Sequence, residues 1–268
     1  MPLFQLILVA LIQGLTEFLP VSSSGHLILL PELTELRDQG QLIDVAVHVG
    51  TLGAVIIYFW SDVRLALCGI PQLLRGRLDT AEASLAWNLA LATIPAVLAG
   101  TALHFTGLSD AMRSVKVIGW TILLFGLVLY WADRTGPETR RSTNWTTRDA
   151  VIMGLWQVLA LIPGTSRSGI TITGGRWLGY GRTDAARLSM LMSIPIIAAS
   201  GLLLGTEAAF TATPQALRDA AIAAALSFGS ALLALWLMMR FLRSASFTPY
   251  VIYRAVLGVV LLAIAYGA

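Results

Sequence analysis

Glu17 is the first residue in the chain whose chemistry needs an explanation. It lies in an apolar run from about residue 3 to residue 30. At membrane depth an acid costs on the order of 3 kcal/mol unless it is paired, hydrated or bound to a cation, so Glu17 is expected to face the protein interior. Gln13 precedes it by one helical turn, which puts both side chains on one face. Together they can hold a hydrated divalent cation, Mg2+ or Ca2+, with phosphate oxygens completing the shell. The alternatives are a structural pairing of Glu17 with arginine and, for Gln13, interhelical hydrogen bonding. After Pro20 come Val21-Ser22-Ser23-Ser24-Gly25-His26. The proline ends one helix, and the free N–H groups that open the next form an anion site lined by Ser22, Ser24 and Gly25. Ser23 is the preferred nucleophile, with His26 or Glu17 able to take its proton and an activated water as the competing attacker.

A second turn of the same kind, Pro163-Gly164-Thr165-Ser166-Arg167-Ser168-Gly169, sets an arginine among hydroxyls. The planar guanidinium matches two phosphate oxygens, so Arg167 reads as a phosphate clamp, with Thr165, Ser166, Ser168 and Gly169 around it. Its alternative is a salt bridge to Glu17 or Asp44. Thr171 and Thr173 can extend the site or bond back to their own helix. Asp44 and His48 share one helix face and can support Arg167 or His26, or line an entrance. Zinc is disfavoured, because neither a thiolate cluster nor an HExxH pattern accompanies them.

Membrane helices must position these groups. Of 268 residues, 56% are hydrophobic and 12% charged, with mean hydropathy +0.76. That is too apolar for a water-soluble domain of this length, and the reading is an all-α, polytopic membrane protein. The net charge of +3 comes from arginines scattered between apolar spans, which argues against nucleic acid as a partner. Cys68 stands alone, cannot close an intramolecular disulfide, and reads as a small apolar filler. The start lacks the basic region of a cleavable signal peptide.

Apolar runs fall near 3–30, 42–60, 84–104, 117–132, 150–163, 188–206, 219–239 and 251–268. The first and fifth are broken by the polar turns, which is tolerated at membrane depth only inside protein or facing a cavity. The two turns resemble each other when Pro20 is set on Pro163, and Thr93-Ile94-Pro95 resembles Ser193-Ile194-Pro195. This predicts one transmembrane domain over 1–268 with inverted repeats of about 1–132 and 149–268, joined by a cytoplasmic loop at 133–148. Basic residues concentrate in 61–83, 133–148, 176–187 and 240–249, the cytoplasmic set by the positive-inside rule. Both termini then lie outside, and the broken segments enter from opposite faces to meet near the midplane. Trp60, Trp120, Trp131 and Tyr250 suit interfacial belts, and Arg254 is expected to snorkel to the inner surface.

The run Gln13-Gly14-Leu15-Thr16-Glu17-Phe18-Leu19-Pro20-Val21-Ser22-Ser23-Ser24-Gly25-His26, followed by Pro163 to Gly169, resembles the undecaprenyl-diphosphatase family of bacterial inner membranes, also called the bacitracin-resistance protein family. The likeness extends over the chain in length, span pattern and motif order. It implies hydrolysis of undecaprenyl diphosphate to the monophosphate carrier of peptidoglycan synthesis, tolerance of bacitracin, and a site reached from the periplasmic face. The family's first motif is Glu or Gln, three residues, then Glu. Gln13 is the less acidic variant, which weakens any scheme needing two carboxylates on the metal. The rival function is a flippase for the lipid monophosphate using the same anion site. The sequence is also compatible with an oligomer.

Overall fold

The computed structural model describes residues 1–33, 39–107, 112 and 114–267. The described residues form helices joined by turns and short irregular segments, with one isolated bridge between Arg140 and Tyr180. Eleven helices follow in order: α1 (Leu3–Thr16), α2 (Ser23–Leu33), α3 (Gln41–Tyr58), α4 (Trp60–Leu74), α5 (Ala81–Thr106), α6 (Val115–Thr135), α7 (Thr147–Val158), α8 (Arg167–Trp177), α9 (Arg182–Thr211), α10 (Pro214–Phe241) and α11 (Thr248–Gly267). Six of them, α3, α5, α6, α9, α10 and α11, are long and apolar enough to cross a membrane among the described residues. The pairs α1/α2 and α7/α8 are the two interrupted runs, each helix too short to span alone.

The short helices are inserted among long ones. α1 packs on α10 and α7 on α5, while α3 lies against α9 and α6 against α11. The first two contacts need small residues. A side chain on Gly14 would meet the Ser227 carbonyl oxygen at 2.6 Å, and one on Gly154 would meet the Ala92 carbonyl oxygen at 2.7 Å. Glycine therefore lets both backbones approach as closely as they do. In this arrangement α5 and α10 play matching parts, so the Pro95 and Pro195 resemblance, which links α5 to α9, does not join counterparts.

Part of the expected cytoplasmic loop 61–83 is helical. α4 follows the break at Phe59, packs on α5, and exposes Leu65, Leu67, Ile70 and Leu74, as a helix lying in the interface does. Cys68 is exposed on it rather than filling a core gap. Trp60, Trp120 and Trp131 are about half exposed, as belt residues are, whereas Tyr250 packs on Phe241 and Phe247.

The segment joining α6 to α7 is fastened by charge. Asp133 accepts from Arg182 Nε at 2.7 Å and from the Phe247 amide at 3.1 Å, and it lies beside the buried Arg176. Arg176 donates to the carbonyls of Asp133, Gly136 and Tyr180. Arg140 pairs with Asp149, which also accepts from the Tyr180 hydroxyl at 2.8 Å and closes a capping box with Thr146 at the start of α7. Burial alone would raise the Asp149 pKa, but these donors outweigh it and bring it down to about 2.

Candidate active site

The two polar turns are built alike. Ser22 has φ 74° and Ser166 φ 72°, the two described non-glycine residues with positive φ. Such a backbone costs on the order of 1–3 kcal/mol per residue, so the surroundings must impose it. In each turn the serine hydroxyl accepts from the amide three residues on, Gly25 at 3.3 Å and Gly169 at 3.1 Å, and lies 3.2 Å from the next serine but one. Ser23-Ser24-Gly25 therefore corresponds to Arg167-Ser168-Gly169. The proline match was one residue out of step, because cap geometry sets the register and Pro20 and Pro163 sit at different points of their turns.

Several bonds bring the turns together. Ser168 donates to the Leu19 carbonyl at 2.9 Å, and Thr121 to the Pro163 carbonyl at 2.6 Å. Arg254 does not snorkel. It is fully buried and donates to the carbonyls of Pro20, Gly164, Thr165 and Ile122 at 3.0–3.3 Å. Four backbone acceptors hold this guanidinium inside, and three of them, Pro20, Gly164 and Thr165, lie in the turns outside regular helix.

The Glu17 carboxylate lies where the turns meet. One oxygen accepts from Arg167 at 2.9 Å. The other accepts from Gln13 at 2.7 Å and Ser23 at 2.9 Å, with His48 Nε2 at 3.8 Å. The salt-bridge alternative for Arg167 is thus the contact present, and the Arg167 side chain keeps 14% exposure. Arg167 also donates to the Ser189 carbonyl and lies over the Phe18 ring.

His26 is placed otherwise than the nucleophile–base pairing expected. Its Nδ1 donates to the Ser22 carbonyl at 2.7 Å, so in the neutral ring Nε2 accepts from the Tyr253 hydroxyl at 2.5 Å, with the two rings stacked. The structure gives the Ser23 hydroxyl to Glu17 instead. Thr171 is buried, and its hydroxyl lies between the Arg167 carbonyl and Ser189. Thr165 is fully buried, Ser24 is exposed at the turn's rim, and Asp44 accepts from Gln39 and offers its carbonyl to His48. Tyr253, Ser189 and Arg254 enter from distant helices, and no motif spacing marks the first two.

A divalent cation fits these residues in part. Gln13 Oε1 is buried with no hydrogen-bond partner. His48 Nδ1 lies 2.7 Å from the Asp44 carbonyl oxygen, and its Nε2 faces the Glu17 carboxylate at 3.8 Å. A cation beside Gln13 Oε1 and the Glu17 carboxylate would give the unpaired amide oxygen a partner. Among the described residues no three His, Cys, Asp or Glu side chains form a full cage, which leaves shell positions for phosphate oxygens and water.

Known proteins resemble the chain along nearly its whole length. The family model described as bacitracin resistance protein BacA matches residues 6–260. The chain belongs to the bacitracin resistance protein family. It is 72% identical over 267 residues to an undecaprenyl-diphosphatase of Ruegeria pomeroyi, covering 100% of both chains. It is 68% identical to one of Dinoroseobacter shibae, again over 100% of each. A relative of the same name from Hahella chejuensis is 47% identical over 98% of each. Membership of this family and six apolar helices make the chain a multi-pass membrane protein.

Proposed function

We propose that this protein hydrolyses undecaprenyl diphosphate to undecaprenyl phosphate and inorganic phosphate, returning the carrier lipid to peptidoglycan synthesis and conferring bacitracin resistance. The observation that carries this reading is the shared Glu17 carboxylate, with a serine hydroxyl on one oxygen and a guanidinium on the other, between two helix N-termini. Arg167 leaves Glu17 for the diphosphate, joined by the free N–H groups of α2 and α8, and holds the terminal phosphoryl group. Glu17, released from its ion pair, takes the Ser23 proton. Ser23 Oγ attacks the terminal phosphorus, the bond to the bridging oxygen breaks, and the lipid monophosphate leaves. Water then cleaves the phosphoserine, so the net change is one water consumed and one phosphate released. Positioning and charge neutralisation supply most of the rate.

Gln13 and Glu17 would hold a divalent cation, Mg2+ or Ca2+, which would supply charge neutralisation on phosphate oxygens. Ser22, Ser24, Gly25, Thr165, Ser166, Ser168 and Gly169 shape the two turns around the anion, and Asp44 orients His48. Thr171 acts through the Arg167 backbone, and His26 with Tyr253 holds the Ser22 carbonyl. Matching caps, matching swapped contacts and the glutamines Gln13 and Gln157 support an inverted repeat of about 1–132 and 149–268. We further infer an inner-membrane location with the site opening to the periplasm, supported by the basic loops gathered at the other end.

The test is phosphate release from a polyprenyl diphosphate by purified protein in detergent, with and without chelator, beside Arg167→Ala. Release that Arg167→Ala loses supports the reading. No release by folded protein across several cations, with intact lipid phosphate crossing vesicle membranes, would put a flippase in its place.

A further inference from the structure

Three of the four basic segments converge on one cleft. These three, 133–148, 176–187 and 240–249, line a cavity of about 610 Å³ with Arg140, Arg141, Arg182, Arg187 and Arg243. The acids that line it are Glu138 and Asp184. Glu138 is committed to Arg182 and Arg176, and Asp184 accepts from the Ser142 amide and hydroxyl at 2.7 Å. Arg140 is held by Asp149, Arg182 by Asp133, and Arg187 by Asp62 of the fourth segment. Arg141 and Arg243 are exposed and have no acid partner among the described residues. The cleft therefore carries a positive charge excess that the protein itself leaves uncompensated.

An apolar recess adjoins it. A pocket of about 230 Å³ shares Ser142, Thr143 and Arg187 with the cleft and continues along Leu65, Leu85, Leu188 and Leu191. α4 contributes Asp62 and Leu65 to its wall, while Leu67, Ile70 and Leu74 of the same helix are exposed outside it, the pattern of a helix that lies in a membrane interface. A basic cavity opening into an apolar recess at that depth matches an amphiphile whose phosphate lies among arginines and whose chains leave along the leucines. Topology alone needs basic residues in these loops, but it does not need them around one cavity beside a leucine-lined recess.

We propose that this cleft is a binding site for the headgroup of an anionic phospholipid of the surrounding leaflet, seated between Arg141 and Arg243. The site is separate from the Glu17 centre and holds whatever reaction that centre performs. A phosphate diester with one negative charge and a glycerol backbone is the ligand class. Two exposed arginines recognise it, so the interaction weakens with salt.

The experiment is native mass spectrometry of the full-length protein released from detergent micelles doped with equal phosphatidylglycerol and phosphatidylcholine. The double variant Arg141→Ala/Arg243→Ala and the charge-preserving Arg141→Lys/Arg243→Lys are compared with the starting protein. Glycerol phosphate and inorganic phosphate are added in separate arms. The expected result is phosphatidylglycerol retained about tenfold over phosphatidylcholine, preference lost in the alanine pair and largely kept in the lysine pair, with phosphate a poor competitor. Equal retention of both lipids, or a preference unchanged in the alanine pair, overturns the proposal. Displacement of lipid by inorganic phosphate at matched concentration also overturns it, in favour of a free-anion site. Thermal melts of the Glu17→Gln protein with the same lipids separate this result from the catalytic reading, because the lipid preference persists there whether or not Glu17 is catalytic.

Discussion

Ser23 and Arg167 are structural counterparts: each follows a serine with positive φ, each opens a helix, and each reaches a different oxygen of Glu17. One turn brings a hydroxyl and the other a guanidinium. The residue five places before the strained serine is Glu17 in the first turn and Leu161 in the second, so a single carboxylate serves both.

Ser23→Ala removes the attacking hydroxyl from an incompletely buried position and should leave the fold intact. Phosphate release should fall by about 1,000-fold or more, with an unchanged melting profile. Near-normal turnover would take Ser23 out of the mechanism and leave water as the attacker.

Glu17 and Arg167 share a bond of 2.9 Å at side-chain exposures of 8% and 14%, so each depends on the other. Glu17→Gln and Arg167→Ala should each destabilise the protein, and the double variant should recover about 1–3 kcal/mol of the summed loss. Thermal or denaturant unfolding of the four proteins measures this, and additive losses would mean that the pair is uncoupled.

Tyr253→Phe keeps the ring stacked on His26 and deletes only the hydroxyl bonded to Nε2. A loss of about 1 kcal/mol, near fivefold in turnover, is expected from one neutral hydrogen bond. A change in the pH–rate profile with no change in melting temperature would show that Tyr253 acts through His26. An unaltered profile would reduce Tyr253 to packing.

Arg254→Met should be more damaging to the fold than any change at the rim of the site. It strands the turn carbonyls of Pro20, Gly164 and Thr165 and takes a second donor from that of Ile122, at a cost of about 3 kcal/mol or more. Arg254→Lys offers three donors in place of a fork and should fall between. A melting temperature equal to that of the unsubstituted protein would contradict the stapling role.

Asp149 carries a pH signature. Its folded pKa, about 2, lies below the value for an unfolded chain, so its contribution is complete above about pH 4 and is lost as pH falls toward 2. The shift corresponds to roughly 2 kcal/mol. Asp149→Asn should lower stability by about that much at neutral pH and flatten the acid limb of the stability curve, which unfolding measured from pH 7 to 3 would reveal.

The residues that carry charge or hydroxyls in apolar surroundings were legible in the sequence, because lipid makes such placements costly enough to demand a reason. Glu17, Ser23 and Arg167 announced themselves in this way, and the proline and glycine breaks marked both turns. Register was not legible, since it depends on which serine takes a positive φ rather than on which proline precedes it. Partners from other helices were hidden too. Tyr253 looks like a belt residue, and Arg254 near the start of an apolar run looks like one that reaches for water, until the four carbonyls around it are known. α4 was hidden by its charges, which count toward a loop although Leu67, Ile70 and Leu74 share one exposed face.

Arg254 also bears on the order in which the protein is made. The side chain that fastens both turns belongs to α11, far along the chain from either turn. A ribosome must therefore deliver α11 into the membrane before the centre can acquire its working shape. Nascent chains lacking α11 would contain Glu17, Ser23 and Arg167 without the guanidinium that joins their turns, so activity itself reports that α11 has been made and inserted.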